Sequence, residues 1–290
     1  MRILITIPHY YGPPSPSAET HYGSTHGVQS ERVEALRAAI IACRRHFGSQ
    51  GMMYSRKAER IVRRPNVGSV TDIDVVVLTT GGRHLLDRLA LPDGFYEHRP
   101  VVTDPMMLGF ACHALLAERL GSYDIYGYME DDLVIEDANF FDKLTMFNAS
   151  HGQSCVLLPN RYETALQSDF QKLYIDRMVS DELPEGSIDP DDRRVIRGAF
   201  LNRTLVLERP SNPHSGCFFL DERQMRLWRE SPVFLDGDTR FVGPLESAAT
   251  WGLLRSFRLY KPHVSCASFF EIRHACNRYL ERDMKTMAGQ

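Results

Sequence analysis

Between Tyr123 and Glu136 the chain reads Tyr-Asp-Ile-Tyr-Gly-Tyr-Met-Glu-Asp-Asp-Leu-Val-Ile-Glu, an apolar and aromatic run from Ile125 to Met129 that ends in three consecutive acids, Glu130, Asp131 and Asp132. The run has the composition of a buried strand. Carboxylates crowded at the end of a core strand repel one another and lose hydration, so such a cluster persists where a cation neutralises it. Oxygen ligands of this kind suit Mg²⁺ or Mn²⁺, which keep positions open for the phosphate oxygens of a substrate. The plainer reading is a polar turn whose acids sit in water. The frame favours the first reading, because the acids follow a strand that follows a helix, and α/β proteins place their ligands at the carboxyl ends of strands.

The remaining pattern is that of an α/β protein. Arg2 to Pro8 reads as a first buried strand, and the loop after it, through Gln29, is rich in Pro, Ser, Gly, His and Tyr. A loop of that length in a compact domain usually serves a function. Its Tyr10, Tyr11, His21 and Tyr22 are candidates to stack on a base, or simply to pin the loop down. Ser30 caps a helix whose Val33, Leu36, Ile40, Cys43 and Phe47 make one apolar stripe up to Gly48; Arg32 is assigned to the other, polar face, and the helix to packing. Asp74 to Thr80 is a second buried strand, closed by Gly81-Gly82. Tyr96 to Val102 is a short strand, and Asp104-Pro105 opens a helix that runs to Leu120 and delivers the chain to the acids. His113 within it reads as a core histidine.

After the acids come a helix over Asn139 to Phe147, a strand over Ser154 to Pro159, a polar surface excursion from Phe170 to Arg194 and a strand region from Val195 to Leu207. Pro213 to Asp221 reads as loop, strand and helix start. Gly243-Pro244-Leu245-Glu246 opens another helix, with Glu246 in its first turn, where the helix dipole favours the ionised carboxylate. Arg258 to Pro262 and Ser268 to Ile272 are short strands, and a closing helix runs through Arg282.

Several classes are excluded. Neither Gly-x-Gly-x-x-Gly nor a Gly-Lys-Ser/Thr sequence occurs, which removes P-loop enzymes and typical NAD enzymes. A net charge of -3 gives no nucleic-acid footprint. The local basic run Arg56, Lys57, Arg60, Arg63 and Arg64 reads as a solvated face, with an anionic acceptor or peripheral membrane contact as the second reading. No apolar stretch is long enough to span a bilayer and the amino terminus lacks signal-peptide anatomy, so a cytoplasmic protein is expected, with its six scattered cysteines reduced.

The segment Tyr128 to Ile135 resembles the metal-binding acidic motif of GT-A-fold glycosyltransferases, written Asp-x-Asp and often found as Glu-Asp-Asp. The resemblance implies an α/β fold with a GT-A-like, Rossmann-type mixed sheet flanked by helices, in a single large domain over residues 1–290. Residues 1–136 would form the nucleotide-sugar-binding half, and residues 137–290 the acceptor-binding half with a C-terminal helix. It further implies Mn²⁺ or Mg²⁺ and a nucleotide diphosphate sugar, UDP favoured over GDP, with a carbohydrate or other hydroxyl-bearing acceptor.

By the same resemblance Asp132 is the chief metal ligand, while Glu130 and Asp131 face the nucleotide. Ser215 and Gly216 make backbone-level donor or acceptor contacts next to the metal site. Glu246 resembles the base of inverting members, although Pro-Leu-Glu lacks the second acid of their x-Glu-Asp motif; if Glu246 is only a cap, a retaining mechanism stays open. A late histidine completes the metal or diphosphate site, with His274 preferred over His263, and Arg273 meets phosphate oxygens. The alternatives are a sugar nucleotidyltransferase, whose Gly-rich signature with Lys or Arg after the first strand is missing here, and a non-catalytic nucleotide or sugar binder of the same fold.

Overall fold

Seven residues of alternating branched side chains, Arg2–Pro8, form strand β1, buried from Ile3 onward. The chain then builds helix α1 (Gln29–Phe47), a hairpin of β2 (Met53–Ser55) and β3 (Arg60–Arg63), and the nine-residue β4 (Asp72–Thr80). Strand β5 (Glu97–Val101), helix α2 (Leu108–Glu118), β6 (Ile125–Met129), β7 (Leu133–Val134) and helix α3 (Phe140–His151) follow. Next come β8 (Cys155–Leu157), β9 (Asn160–Thr164), β10 (Lys172–Tyr174), β11 (Val195–Phe200), β12 (Arg203–Glu208) and β13 (Cys217–Asp221). The chain continues through helices α4 (Glu222–Arg229) and α5 (Pro244–Leu254), then β14 (Arg258–Pro262) and β15 (Glu271–His274). This computed structural model describes residues 1–12, 28–49, 51–65, 71–164, 171–176, 185–188 and 194–280. His21, Tyr22 and the closing helix beyond residue 280 lie outside the described residues.

The central sheet has the order β13-β6-β1-β4-β5. β6, β1, β4 and β5 run parallel and β13 joins antiparallel to β6, so the expected mixed α/β sheet is present. Its faces are covered by two apolar layers: α1 and α3 pack on Ile3, Ile5, Val75 and Phe219, and α2 and α5 on Leu4, Val76, Tyr126 and Phe218. Full burial on both sides explains why these strands read as continuous apolar runs. Two smaller sheets, β10-β9-β15-β7 and β11-β12-β14-β8, extend the second half of the chain.

Most element boundaries fall within a few residues of the sequence reading. Three differ. Helix α1 has Val28 at its N-cap position, with no side-chain cap, in place of the expected Ser30. The expected single strand region from Val195 to Leu207 is a hairpin, because Leu201 and Asn202 adopt positive φ and reverse the chain. The strand expected over Ser268 to Ile272 begins at Glu271, after a 3-10 turn over Val264–Phe269. His113 is a core histidine, edge-on to Trp228 and Tyr128, and burial pushes its imidazole down to about 3. Among the described residues no helix is long and apolar enough to cross a membrane. All six cysteines are free, four of them buried.

Candidate active site

The acidic turn leaves the carboxyl end of β6. Parallel pairing of β6 with β1 brings His9, just beyond Pro8, to the same end of the sheet. Antiparallel pairing of β13 with β6 sets Cys217 opposite Met129, and so places Ser215-Gly216 against the acids, where the Glu130 N–H donates to the Gly216 carbonyl at 2.9 Å. Antiparallel pairing of β15 with β7 sets His274 opposite Leu133, and the Ala275 N–H donates to the Asp132 carbonyl at 2.8 Å. Residues separated by more than two hundred positions thus meet around one turn. Parts of the sequence expectation converge here: the triplet, Ser215-Gly216 and His274.

Each acid meets a different neighbour. Asp131 is held on both oxygens: Oδ1 accepts from the Arg32 guanidinium, and Oδ2 lies 2.6 Å from His9 Nδ1. His9 Nε2 accepts the Leu85 N–H at 3.1 Å, so the proton sits on Nδ1 and is donated to the carboxylate. Burial works to raise the Asp131 carboxyl, but Arg32 and His9 outweigh it and hold it down at about 2. Arg32 also donates from Nη1 to Asp132 Oδ2 at 3.1 Å, and its side chain is only 6% exposed. The two carboxylates keep its guanidinium charged against the opposing effect of burial.

Glu130 lies on the opposite flank. Burial raises its carboxyl well above the usual range and Asp132 adds to the effect, with Arg161 opposing both. Its Oε1 has no hydrogen-bond partner and lies 3.9 Å from His214 Nε2. His214 is itself pushed well below its ordinary value by burial and by Arg161 and Lys261. Those two cations share Asp176, which accepts Arg161 Nε at 2.8 Å and Lys261 Nζ at 2.7 Å. Gly216 is required here on two counts: its φ is +64, and a Cβ would come within 2.8 Å of Glu130 Oε2.

His274 is oriented from behind. Glu163 accepts backbone N–H groups of Leu280 at 2.7 Å and Tyr279 at 3.3 Å, so it is an acceptor, and His274 Nδ1 at 2.8 Å donates to it. The other nitrogen, Nε2, then faces Asp132 Oδ2 at 3.6 Å. A carboxylate behind a histidine and a second carboxylate in front of it is the arrangement that orients a metal-binding imidazole. Asp132 Oδ1 is buried and without a partner. Among the described residues no group of three or more His, Cys, Asp and Glu side chains is arranged to hold a metal ion. The pair Asp132 and His274 fits a hard cation that takes its remaining ligands from water and phosphate.

The other predicted residues are placed as follows. Glu246 sits half-buried in the first turn of α5, behind Pro244, and its charge acts on Glu130 and Tyr128. The Ser215 hydroxyl donates to the Pro159 carbonyl at 2.9 Å. Arg273 does not join the site: adjacent strand residues face opposite ways, and its Nε pairs with Glu136 at 2.6 Å. His263 bonds Ser265, at 2.8 Å. Tyr10 and Tyr11 follow His9 and are partly buried against the two core layers. Trp251 is core, its Nε1 donating to Asp238 at 2.8 Å.

Four residues at the site were not singled out from sequence: His9, Arg32, Glu163 and His214. Arg32 carried a signal, since it heads the buried stripe Leu36, Ile40, Cys43 and Phe47 at helical spacing. His9 is the first polar residue after a buried parallel strand.

No protein-family model matches the chain, and no curated protein matches it. Among solved structures it is similar to S. aureus TarS, with a TM-score of 0.48 and 9% identity over 94% of this chain and 36% of that one. It is similar also to S. aureus TarS 1-349 in complex with UDP-GlcNAc, with a TM-score of 0.45 and 9% identity over 94% of this chain and 58% of that one. A putative glucose-1-phosphate thymidylyltransferase from Bacillus anthracis, in complex with a sucrose, gives a TM-score of 0.37 and 13% identity over 90% of this chain and 87% of that one. The chain spans about a third of the length of the first of these proteins and under two thirds of the second.

Proposed function

We propose that this chain is a glycosyltransferase that binds a nucleotide diphosphate sugar at the carboxyl ends of β1 and β6 and moves the sugar to an acceptor hydroxyl. The observation that supports this most is the meeting of His9, Gly216 and His274 around the acidic turn, from three distant parts of the sequence, at the end of a parallel sheet where α/β proteins hold ligands. Arg32 holds Asp131 and one oxygen of Asp132, so the turn is preorganised before any ligand arrives. Mn²⁺ or Mg²⁺ on Asp132 and His274 would supply Lewis-acid stabilisation of the departing diphosphate. Glu163 keeps the His274 Nε2 edge turned toward that position.

Glu246 is the proposed base. It takes the proton of the acceptor hydroxyl as that oxygen bonds to the anomeric carbon, the bond from that carbon to the diphosphate breaks, and configuration inverts. Burial raises the carboxyl of Glu130, whose field meets that of Glu246, and this lessens the negative charge that Glu246 faces.

The test is thermal stability with UDP, GDP and their common sugars, with Mn²⁺ and with a chelator. A ligand at a hundred times its dissociation constant adds about 2.7 kcal/mol. A shift for one nucleotide, lost in Asp132→Asn, followed by release of nucleoside diphosphate on adding acceptor, supports the proposal. No shift with any nucleotide overturns it, and pyrophosphate release in its place would reassign the chain as a nucleotidyltransferase.

A further inference from the structure

The β2–β3 hairpin stands apart from both core layers. Every residue from Gly51 to Arg64 except Ser55 is exposed. A lone two-stranded ribbon has no interior of its own and is marginal in water, yet this one carries large apolar side chains: Tyr54 is 62% exposed, Ile61 61%, Met52 51%, Val62 47% and Met53 41%. Tyr54 and Ile61 are cross-strand partners, so they project from one face, and the next pair, Ser55 and Arg60, projects from the other.

The same ribbon is strongly basic. Arg56, Lys57, Arg60, Arg63 and Arg64 stand against one acid, Glu59, a local charge of +4 in a chain whose net charge is -3. None of the five forms an ion pair within the described residues, whereas many other basic side chains do. Apolar side chains clustered in water mark a surface that a partner covers. A nucleic acid would use the cations and leave Tyr54, Ile61 and Val62 wet. An apolar protein groove would use those three and bury cations without partners. An anionic bilayer surface takes both, with cations at the headgroups and apolar side chains at the acyl boundary, while long basic stems keep their charges in the polar layer.

We propose that the β2–β3 hairpin docks this protein on an anionic membrane surface. The proposal stands independently of the transferase reading. It is compatible with an open site, because Arg32 holds the acidic turn from the first turn of α1, a helix of 19 residues and about 28 Å, and the hairpin follows its other end.

The test is co-sedimentation of the full chain with vesicles of phosphatidylcholine alone and of phosphatidylcholine mixed with phosphatidylglycerol. Binding to the mixed vesicles only, weakened by salt, is expected. Each neutralised cation should lower the partition about fivefold, so Arg60→Gln/Arg63→Gln should lose about 25-fold. Tyr54→Ser/Ile61→Ser should lose the binding that survives in high salt. Both pairs are exposed, so melting temperatures should stay unchanged and show that the fold is intact. No binding to the mixed vesicles, equal binding to both vesicle types, or unaltered binding by both variants overturns the proposal. So does preference for a duplex oligonucleotide over vesicles.

Discussion

Asp131 and Glu130 are neighbours in sequence and almost equally buried, at 7% and 9% exposure, yet their carboxyls are driven in opposite directions. On the Asp131 flank, α1 contributes a guanidinium that reaches the carboxylate, and β1 contributes a histidine N–H. On the Glu130 flank the charged groups are as numerous, but Arg161 and Lys261 are already committed to Asp176, and Oε1 is left alone. Depth of burial therefore does not decide the direction in which a carboxyl is shifted. What decides it is whether a cation has a free hydrogen-bonding edge at contact distance.

The largest effect that would break this contrast is removal of Arg32. Arg32→Met leaves Asp131 with one neutral donor and Asp132 without its guanidinium, in a site where unfolding alone would restore hydration. A loss of about 3 to 5 kcal/mol is expected, read from the denaturant midpoint at neutral pH. Arg32→Lys should recover part of it, since a point charge replaces the charge but not the fork. A loss of less than about 1 kcal/mol in Arg32→Met would mean that the acids are neutralised by something other than Arg32.

The second flank is probed through its own ionised acid. Burial would raise the Asp176 carboxyl, but Lys261 and Arg161 hold it below the usual carboxylate range. A depressed folded value contributes stability that is fully present above the unfolded value, about 3.9, and is lost as pH falls through the folded one. Asp176→Asn should thus cost about 2 to 4 kcal/mol at pH 7, somewhat less than Arg32→Met because the Lys261 ammonium keeps its hydrogen bond to the His214 carbonyl. Its stability should also fall less steeply than that of the wild type on acidification below about pH 5. Equal acid slopes in the two proteins would show that Asp176 is not the ionised partner of this flank.

The contrast also explains what the sequence makes legible. The strands Arg2–Pro8 and Asp72–Thr80 are readable because burial on both faces leaves a continuous apolar run, and the acids at the end of Ile125–Met129 mark the candidate site. The resemblance implies Ser215-Gly216 and His274 beside the acids, and the pairing of β13 with β6 and of β15 with β7 brings these residues to the acidic turn. Composition assigns Arg32 to the polar face of its helix, although its spacing to Leu36, Ile40, Cys43 and Phe47 puts it at the head of the buried stripe, where Asp131 and Asp132 receive it. Arg273 was read as a site residue through nearness to His274, but strand alternation turns it to Glu136. The sign of each carboxyl shift was beyond reading, since it depends on which flank each side chain enters and on how that flank's cations are already used.

The smallest expected effect is also the sharpest. Glu130→Gln replaces a carboxyl whose neutral form burial favours with a neutral amide of the same size, so its cost at pH 7 should be under about 1 kcal/mol, on the same denaturant assay. Any change should be close to that of a swapped hydrogen-bond donor, because Oε1 has no partner to lose and the Glu130 backbone bond to Gly216 is untouched. Asp131→Asn, one residue away, offers the direct comparison: it removes a charge that Arg32 and His9 both use, and it should cost more than Glu130→Gln by a factor of two or more in free energy. If Glu130→Gln were as costly as Asp131→Asn, Glu130 would be ionised in the folded protein, its counter-charge would have to come from Arg161, and the two flanks of the acidic turn would then be electrostatically alike.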